Sequence, residues 1–173
     1  MKKGIRKEGG FTLVELLIVV IILGILAAVA IPQFSTSTDD AKLSTLDSNL
    51  GLMRNSSELY YNQHNSSYPG AKKVTDGTVV ATIAECATAF TQQMIVYTEV
   101  TGVTSNSKTV AAKYGPYIKN VKLPMNPFND LNTVLCDITE TDITVAASSG
   151  TAGWKFYALT GRLIANDGAH DAN

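Results

Sequence analysis

Few residues of this 173-residue chain have the type and setting to do chemistry, and most of those few stand alone. Gly9 and Gly10 close a cationic leader holding Lys2, Lys3, Arg6 and Lys7, and they stand immediately before the apolar run FTLVELLIVVIILGILAAVAI. In an ordinary secretory signal the small residues follow the apolar region and the whole segment is discarded. Here they precede it. Cutting between Gly10 and Phe11 removes the charges and leaves the apolar segment as the new N-terminus. Glu15 is the single ionisable side chain in that run. A carboxylate in a spanning helix is tolerated mainly when paired or functional. The α-amine freed on Phe11, cationic at neutral pH, is the partner that cleavage creates. Within one helix the two groups lie about a turn apart, an awkward pairing.

Elsewhere the chemistry is sparse. Cys86 and Cys136 are the only cysteines. In an extracytoplasmic domain such a pair reads as a disulfide before a metal or catalytic site; two separated thiols are the alternative if the envelope is reducing. His64 and His170 are far apart, read as exposed, and sit in no HExxH, Walker, GxSxG or CxxC pattern. No catalytic constellation emerges. Asn55-Ser56-Ser57 and Asn65-Ser66-Ser67 match the glycosylation pattern, which short polar sequences meet by chance.

The elements that must position these residues follow from periodicity. Phe11–Ile31 is about 21 residues, the length a helix needs to cross a bilayer core. The leader cations against Glu8 place the N-terminus in the cytoplasm and the remainder outside. Losing the leader takes away four cations and one acid, leaving ten bases and fourteen acids, net −4. That balance argues against nucleic acid as a partner. Beyond Pro32, Leu43, Leu46, Leu50, Met53 and Tyr60 draw one stripe, interrupted at Ser57, while Asp39, Asp40, Lys42, Asp47, Arg54 and Glu58 fall mostly on solvated faces. A helix from Phe11 to Asn62 is about 78 Å long. Gly24 and Pro32 bracket its weakest part and are read as a helix break, either a kink or a segment that unwinds on assembly.

Asn62–Ser67 with Tyr68, Pro69 and Gly70 ends that helix. A second helix is expected over Thr82–Val100, with Ile83, Cys86, Phe90, Met94 and Tyr97 on one face and Thr82 and Glu85 as a capping box. A disulfide would tie it to the first strand. From Tyr114 the signals turn to loops, with Pro116, Pro124 and Pro127, and then to short β-rich runs at Thr133–Thr139, Thr141–Ala147, Gly153–Leu159 and Arg162–Ala165, the last two joined by a tight turn at Thr160-Gly161. Three or four antiparallel strands are expected on the outer half of the long helix, with Trp154 and Phe156 packed against it. The organisation is therefore a leader over 1–10, a membrane and assembly helix over 11–31, its amphipathic continuation over 32–62, and a head over 63–173.

Gly10, Phe11, Thr12, Leu13, Val14 and Glu15, with Pro32 closing the run, resemble the prepilin signature of type IV pilins and type II secretion pseudopilins. The resemblance implies an α+β pilin fold and cleavage by a membrane aspartyl peptidase between Gly10 and Phe11, with methylation of the freed amine. It also implies pairing of Glu15 with the Phe11 amine of a neighbouring copy, which sets the stagger of a filament. The implied partners are further copies of the chain, other pilins or pseudopilins, the prepilin peptidase and an inner-membrane assembly platform. The implied location is the inner membrane with the head extracytoplasmic, then a filament in the periplasm or on the cell surface. The stretches GPYIKNVKLPMNPFND and GWKFYALTGRLIAN resemble pseudopilin-like C-terminal halves and tilt the choice toward secretion over a pilus serving adhesion, motility or DNA uptake. A monomeric bitopic protein with a ligand-binding head is the alternative of another class. Major pseudopilins bind calcium in a C-terminal loop, which makes Asp167 and Asp171 calcium candidates. The longer glycine- and aspartate-rich pattern is absent, a solvated terminus explains the same residues, and no cofactor is otherwise expected.

Overall fold

The computed structural model describes residues 10–142 and 148–170, without the side chains of residues 31–36. The chain divides into two compact units, Met1–Ala41 and Lys42–Asn173.

Helix α1 spans Leu13–Gln63. It passes through Gly24 and Pro32 as one helix, so the expected break is not an end or an interruption here. A proline removes one hydrogen bond and crowds one turn, a local loss that the rest of a 51-residue helix outlasts. From Lys42 onward the helix belongs to the second unit and buries the stripe that its spacing announces: Leu46, Leu50, Met53 and Tyr60 are inside, and Ser57 is inside with them. Arg54, expected on a solvated face, is half-buried and donates from both Nε and Nη2 to the Leu163 carbonyl, at 3.0 and 2.8 Å. The helix ends where Asn65 and Ser66 turn left-handed, at φ 53° and 57°, a conformation that stops helical propagation.

Helix α2, Ile83–Ile95, starts at the expected capping box: the Glu85 amide donates to Thr82 Oγ1, and the Thr82 amide to Glu85 Oε2. It buries Cys86, Ala89, Phe90, Gln93 and Met94. It stops before the expected Val100 because Val96 turns extended and the chain enters β1. The Met94 carbonyl, left over at the helix end, accepts from the amides of Tyr117 and Ile118 at 3.0 and 2.8 Å.

Strand β1 (Tyr97–Thr98) pairs antiparallel with β2 (Thr104–Ser105). A separate sheet holds β3 (Val134–Asp137), β4 (Trp154–Tyr157) and β5 (Leu163–Ala165), in the order β3-β4-β5. The expected all-antiparallel head is corrected here: β4 and β5 are antiparallel, but β3 and β4 run parallel, Val134 opposite Trp154 and Asp137 opposite Tyr157. A hairpin cannot join parallel neighbours. The connection from Ile138 to Gly153 is long enough for the crossover, and the expected Thr141–Ala147 strand falls mostly on residues 143–147, outside the described ones. The turn between β4 and β5 is as expected, with Gly161 at φ 74° donating to the Tyr157 carbonyl; a Cβ there would overlap the Tyr68 ring.

The core lies where the stripe of α1, the buried face of α2 and the three-stranded sheet meet. Trp154 and Phe156 are fully buried there with Leu46, Leu50, Met53 and Phe90. The Phe90 and Phe156 rings are 4.5 Å apart, and Trp154 Nε1 donates to the Pro124 carbonyl at 2.8 Å, so the one buried indole N–H is satisfied.

Candidate functional site

The first unit carries the residues that the sequence singles out. Gly10 and Phe11 precede α1 and are exposed, Phe11 at 82%. At the helix start the Thr12 amide and the Thr12 hydroxyl both donate to Glu15 Oε2, each at 2.8 Å, and the Glu15 amide donates to Thr12 Oγ1 at 3.3 Å. This is a second capping box. Its T-x-x-E spacing is that of Thr82 and Glu85, so the signal was present in the sequence, hidden by the apolar setting that made Glu15 stand out. The carboxylate therefore sits in the first turn of α1, oriented by its own chain. Both bonds fall on one oxygen.

Past Glu15 the helix is apolar on every side. Leu13–Ala30 has a mean hydropathy of 3.1 and none of it is buried. It is the one helix among the described residues long and apolar enough to cross a membrane. Every side chain from Leu13 to Ile22 other than Glu15 is a branched aliphatic left half or more exposed, or nearly so. A surface helix of a globular protein needs one apolar stripe; a helix apolar all round has to be covered by lipid or by other apolar chains. Gly24 has open space around it.

The second unit holds the remaining candidates. Cys86 of α2 and Cys136 of β3 form a disulfide across fifty residues of sequence, with both residues in the core. His64, read as exposed, is buried. Its ring lies flat on Tyr60, centroids 3.6 Å apart. Nδ1 donates to the Tyr60 carbonyl at 2.8 Å, and Nε2 meets Thr98 Oγ1 at 2.9 Å. Burial pushes this imidazole below its ordinary value, against the raising effect of its backbone partners. The placement joins the end of α1 to β1, and nothing in an isolated histidine codon announced it.

Asp167 is not solvated. Oδ1 accepts from the amides of Ala169 and His170 and lies 3.0 Å from His170 Nδ1, while Oδ2 accepts from Asn126 Nδ2 at 2.9 Å. Burial works to raise this carboxyl, and the hydrogen bonds from Asn126, Ala169 and His170 outweigh it and hold it below its usual range. Asn126 also donates to the Gly153 carbonyl, and His170 stacks on Phe128 at 3.9 Å. The arrangement fastens the C-terminal loop to the sheet. Asp171, the second calcium candidate, lies outside the described residues. Among the described residues no three His, Cys, Asp or Glu side chains are grouped to hold a metal.

The residues that the resemblance singles out are thus gathered at the start of α1, and the family-model match falls in the same place. The family model of the prokaryotic N-terminal methylation motif matches residues 5–31. That motif covers the end of the leader, the Gly10-Phe11 junction and the apolar part of α1, and the curated relatives that the chain is similar to are pilins and pseudopilins. The chain is 35% identical over 68 residues to type II secretion system core protein G of Pseudomonas aeruginosa, covering 39% of this chain and 47% of that protein. It is 51% identical over 51 residues to the type IV major fimbrial protein FimA of Dichelobacter nodosus, covering 30% and 33%. It is 47% identical over 45 residues to the type IV narrow pilus major component PilA5 of Thermus thermophilus, covering 26% and 39%. The chain spans about half or less of the length of these curated relatives. No solved structure matches it significantly. An apolar N-terminal helix followed by small mixed and antiparallel sheets is consistent with the α+β pilin fold.

Proposed function

We propose that this chain is a structural subunit of a pilus-like filament, cut between Gly10 and Phe11, methylated on the Phe11 amine, and polymerised through Leu13–Ala30. The observation that carries this reading is that helix itself: it is apolar all round, none of it is buried, and it lies within the methylation motif. Lipid covers it before assembly, with the head extracytoplasmic, and the same helix of other copies covers it afterwards. Glu15 adds the register. The capping box presents its carboxylate at the first turn, with one oxygen engaged by Thr12, and a neighbour's Phe11 amine supplies the missing cation. An unpaired charge in an apolar bundle is costly, so wrong staggers are rejected.

Within this class we favour a type II secretion pseudopilin, because the similarity to core protein G covers more of both chains than the similarity to the fimbrial proteins. The higher local identity to the fimbrial proteins supports the second reading, a type IV pilus subunit. The prepilin peptidase and an inner-membrane platform are the partners this role requires, and Gly24 and Pro32 mark where α1 yields when a filament is stretched.

Intact mass of membrane-extracted protein tests the processing. The expected species begins at Phe11 and carries one added methyl group; filament-competent protein that retains Met1–Gly10 overturns the reading. For assembly, Glu15→Val is expected to give processed, membrane-resident protein with few or no sheared filaments. Wild-type yield from that variant would leave a monomeric bitopic protein as the better description.

A further inference from the structure

A subunit that carries net −4 after loss of its leader repels copies of itself, yet the charge is not evenly spread. Between Glu99 and Asp130 the chain holds Lys108, Lys113, Lys119 and Lys122 and no acid. The rest of the mature sequence has six bases and fourteen acids, net −8. All four lysines are exposed, and among the described residues none is in an ion pair. The loop that carries them is ordered by its backbone. Tyr114 exchanges amide and carbonyl bonds with Thr98, and Tyr117 and Ile118 donate to the Met94 carbonyl. The Ala112 amide donates to Thr109 Oγ1 at 2.8 Å. Val110 and Val121 stand beside the lysines, 97% and 87% exposed.

A complementary group, two acids side by side, is on α1. Asp39 and Asp40 are adjacent and exposed, and among the described residues their carboxylates are in no hydrogen bond or ion pair. The nearest helical cation, Lys42, holds its ammonium 5.8 Å from the centroid of the Phe128 ring.

We infer that the 108–122 lysine loop docks on the Asp39-Asp40 pair of a second copy of this chain. Single exposed ion pairs contribute little, but a segregated patch steers encounter and fixes orientation, and the exposed valines add apolar area that four isolated lysines lack. The two surfaces differ, so the contact is head-to-tail. Contacts of that kind propagate into open helical arrays instead of closing as two-fold dimers. The inference rests on the filament reading above and names the contact within it.

Zero-length carbodiimide crosslinking of the full chain in its membrane tests it, followed by peptide identification in the dimer band. Wild type is expected to join Lys119 or Lys122 to Asp39 or Asp40. The double reversals Lys119→Glu/Lys122→Glu and Asp39→Lys/Asp40→Lys should each lower that dimer on the order of tenfold, and the quadruple variant should restore it. A quadruple variant no better than either double, or a dimer linked only through other residues, overturns the inference. Filaments that form without this crosslink refute the contact alone; the crosslink without filaments refutes the filament reading and leaves the contact standing.

Discussion

Ser57→Ala is expected to stabilise the second unit, against the usual direction of core substitutions. Ser57 is 1% exposed on the buried stripe of α1, and its Oγ has no hydrogen-bond partner among the described residues. A buried hydroxyl left unpaired forfeits about 1–3 kcal/mol of desolvation, and alanine exceeds serine as a helix former by roughly 0.5 kcal/mol. The small void left by the missing oxygen offsets part of this sum, and taking the lower part of the range the net gain is about 1.5–2 kcal/mol. With an unfolding entropy of about 2.1 cal/mol/K per residue over roughly 130 residues, Tm should rise by about 5–7 °C. Trp154 is the only tryptophan and is fully buried, so its fluorescence reports the transition in the mature protein. Ser48, exposed on the same helix, is the control: Ser48→Ala carries only the propensity term, about 2 °C. If Ser57→Ala gains no more than Ser48→Ala, the hydroxyl is satisfied and the reasoning fails.

Acid should weaken the same unit through His64. Burial holds its folded value below the ordinary 6.5, so the unfolded chain takes up a proton first; stability is full above about pH 6.5 and falls as pH drops from there towards the folded value. Tm measured across that window should lose its slope in His64→Gln. Breaking the Cys86–Cys136 bond frees a loop of fifty residues and should cost about 4 kcal/mol in the chain-entropy model; a denaturant titration of Cys86→Ser/Cys136→Ser checks it, and free thiols in unreduced, denatured protein would contradict the bond. Gly161→Ala forces a Cβ into the Tyr68 ring at positive φ and should cost about 2–4 kcal/mol, much of it recovered when Tyr68→Ala is added; additive losses in that cycle would place the strain elsewhere. Thr12→Ala removes the hydroxyl's two bonds of the capping box and keeps the backbone bond to Glu15 and its carboxylate, so filament yield by shearing should stay near wild type where Glu15→Val loses it. Equal losses would mean that the cap, not the charge, is what assembly needs.

The sequence by itself determined whatever depends on one-dimensional order. Cationic leader, Gly10-Phe11, an apolar run and the stripe from Leu46 to Tyr60 are local patterns, and a helix follows from its own periodicity whatever surrounds it. The capping boxes are of the same kind, and Thr12-Glu15 was as readable as Thr82-Glu85. What only tertiary structure decided were pairings across the chain. The three strands of the larger sheet were legible, but β1 lies inside the span expected as helix and β2 carried no signal, and the direction of β3 beside β4 depends on the path of a long connection, which side-chain alternation does not encode. Arg54 looked solvated and instead reaches the Leu163 carbonyl; His64 looked exposed and lies against Tyr60; Asp167 looked like a free terminal acid and fastens the C-terminal loop. Each has, besides any local contact, a partner about thirty or more residues away, Leu163, Thr98 and Asn126 in turn, and a polar side chain has no periodic signal to show whether protein or water will satisfy it.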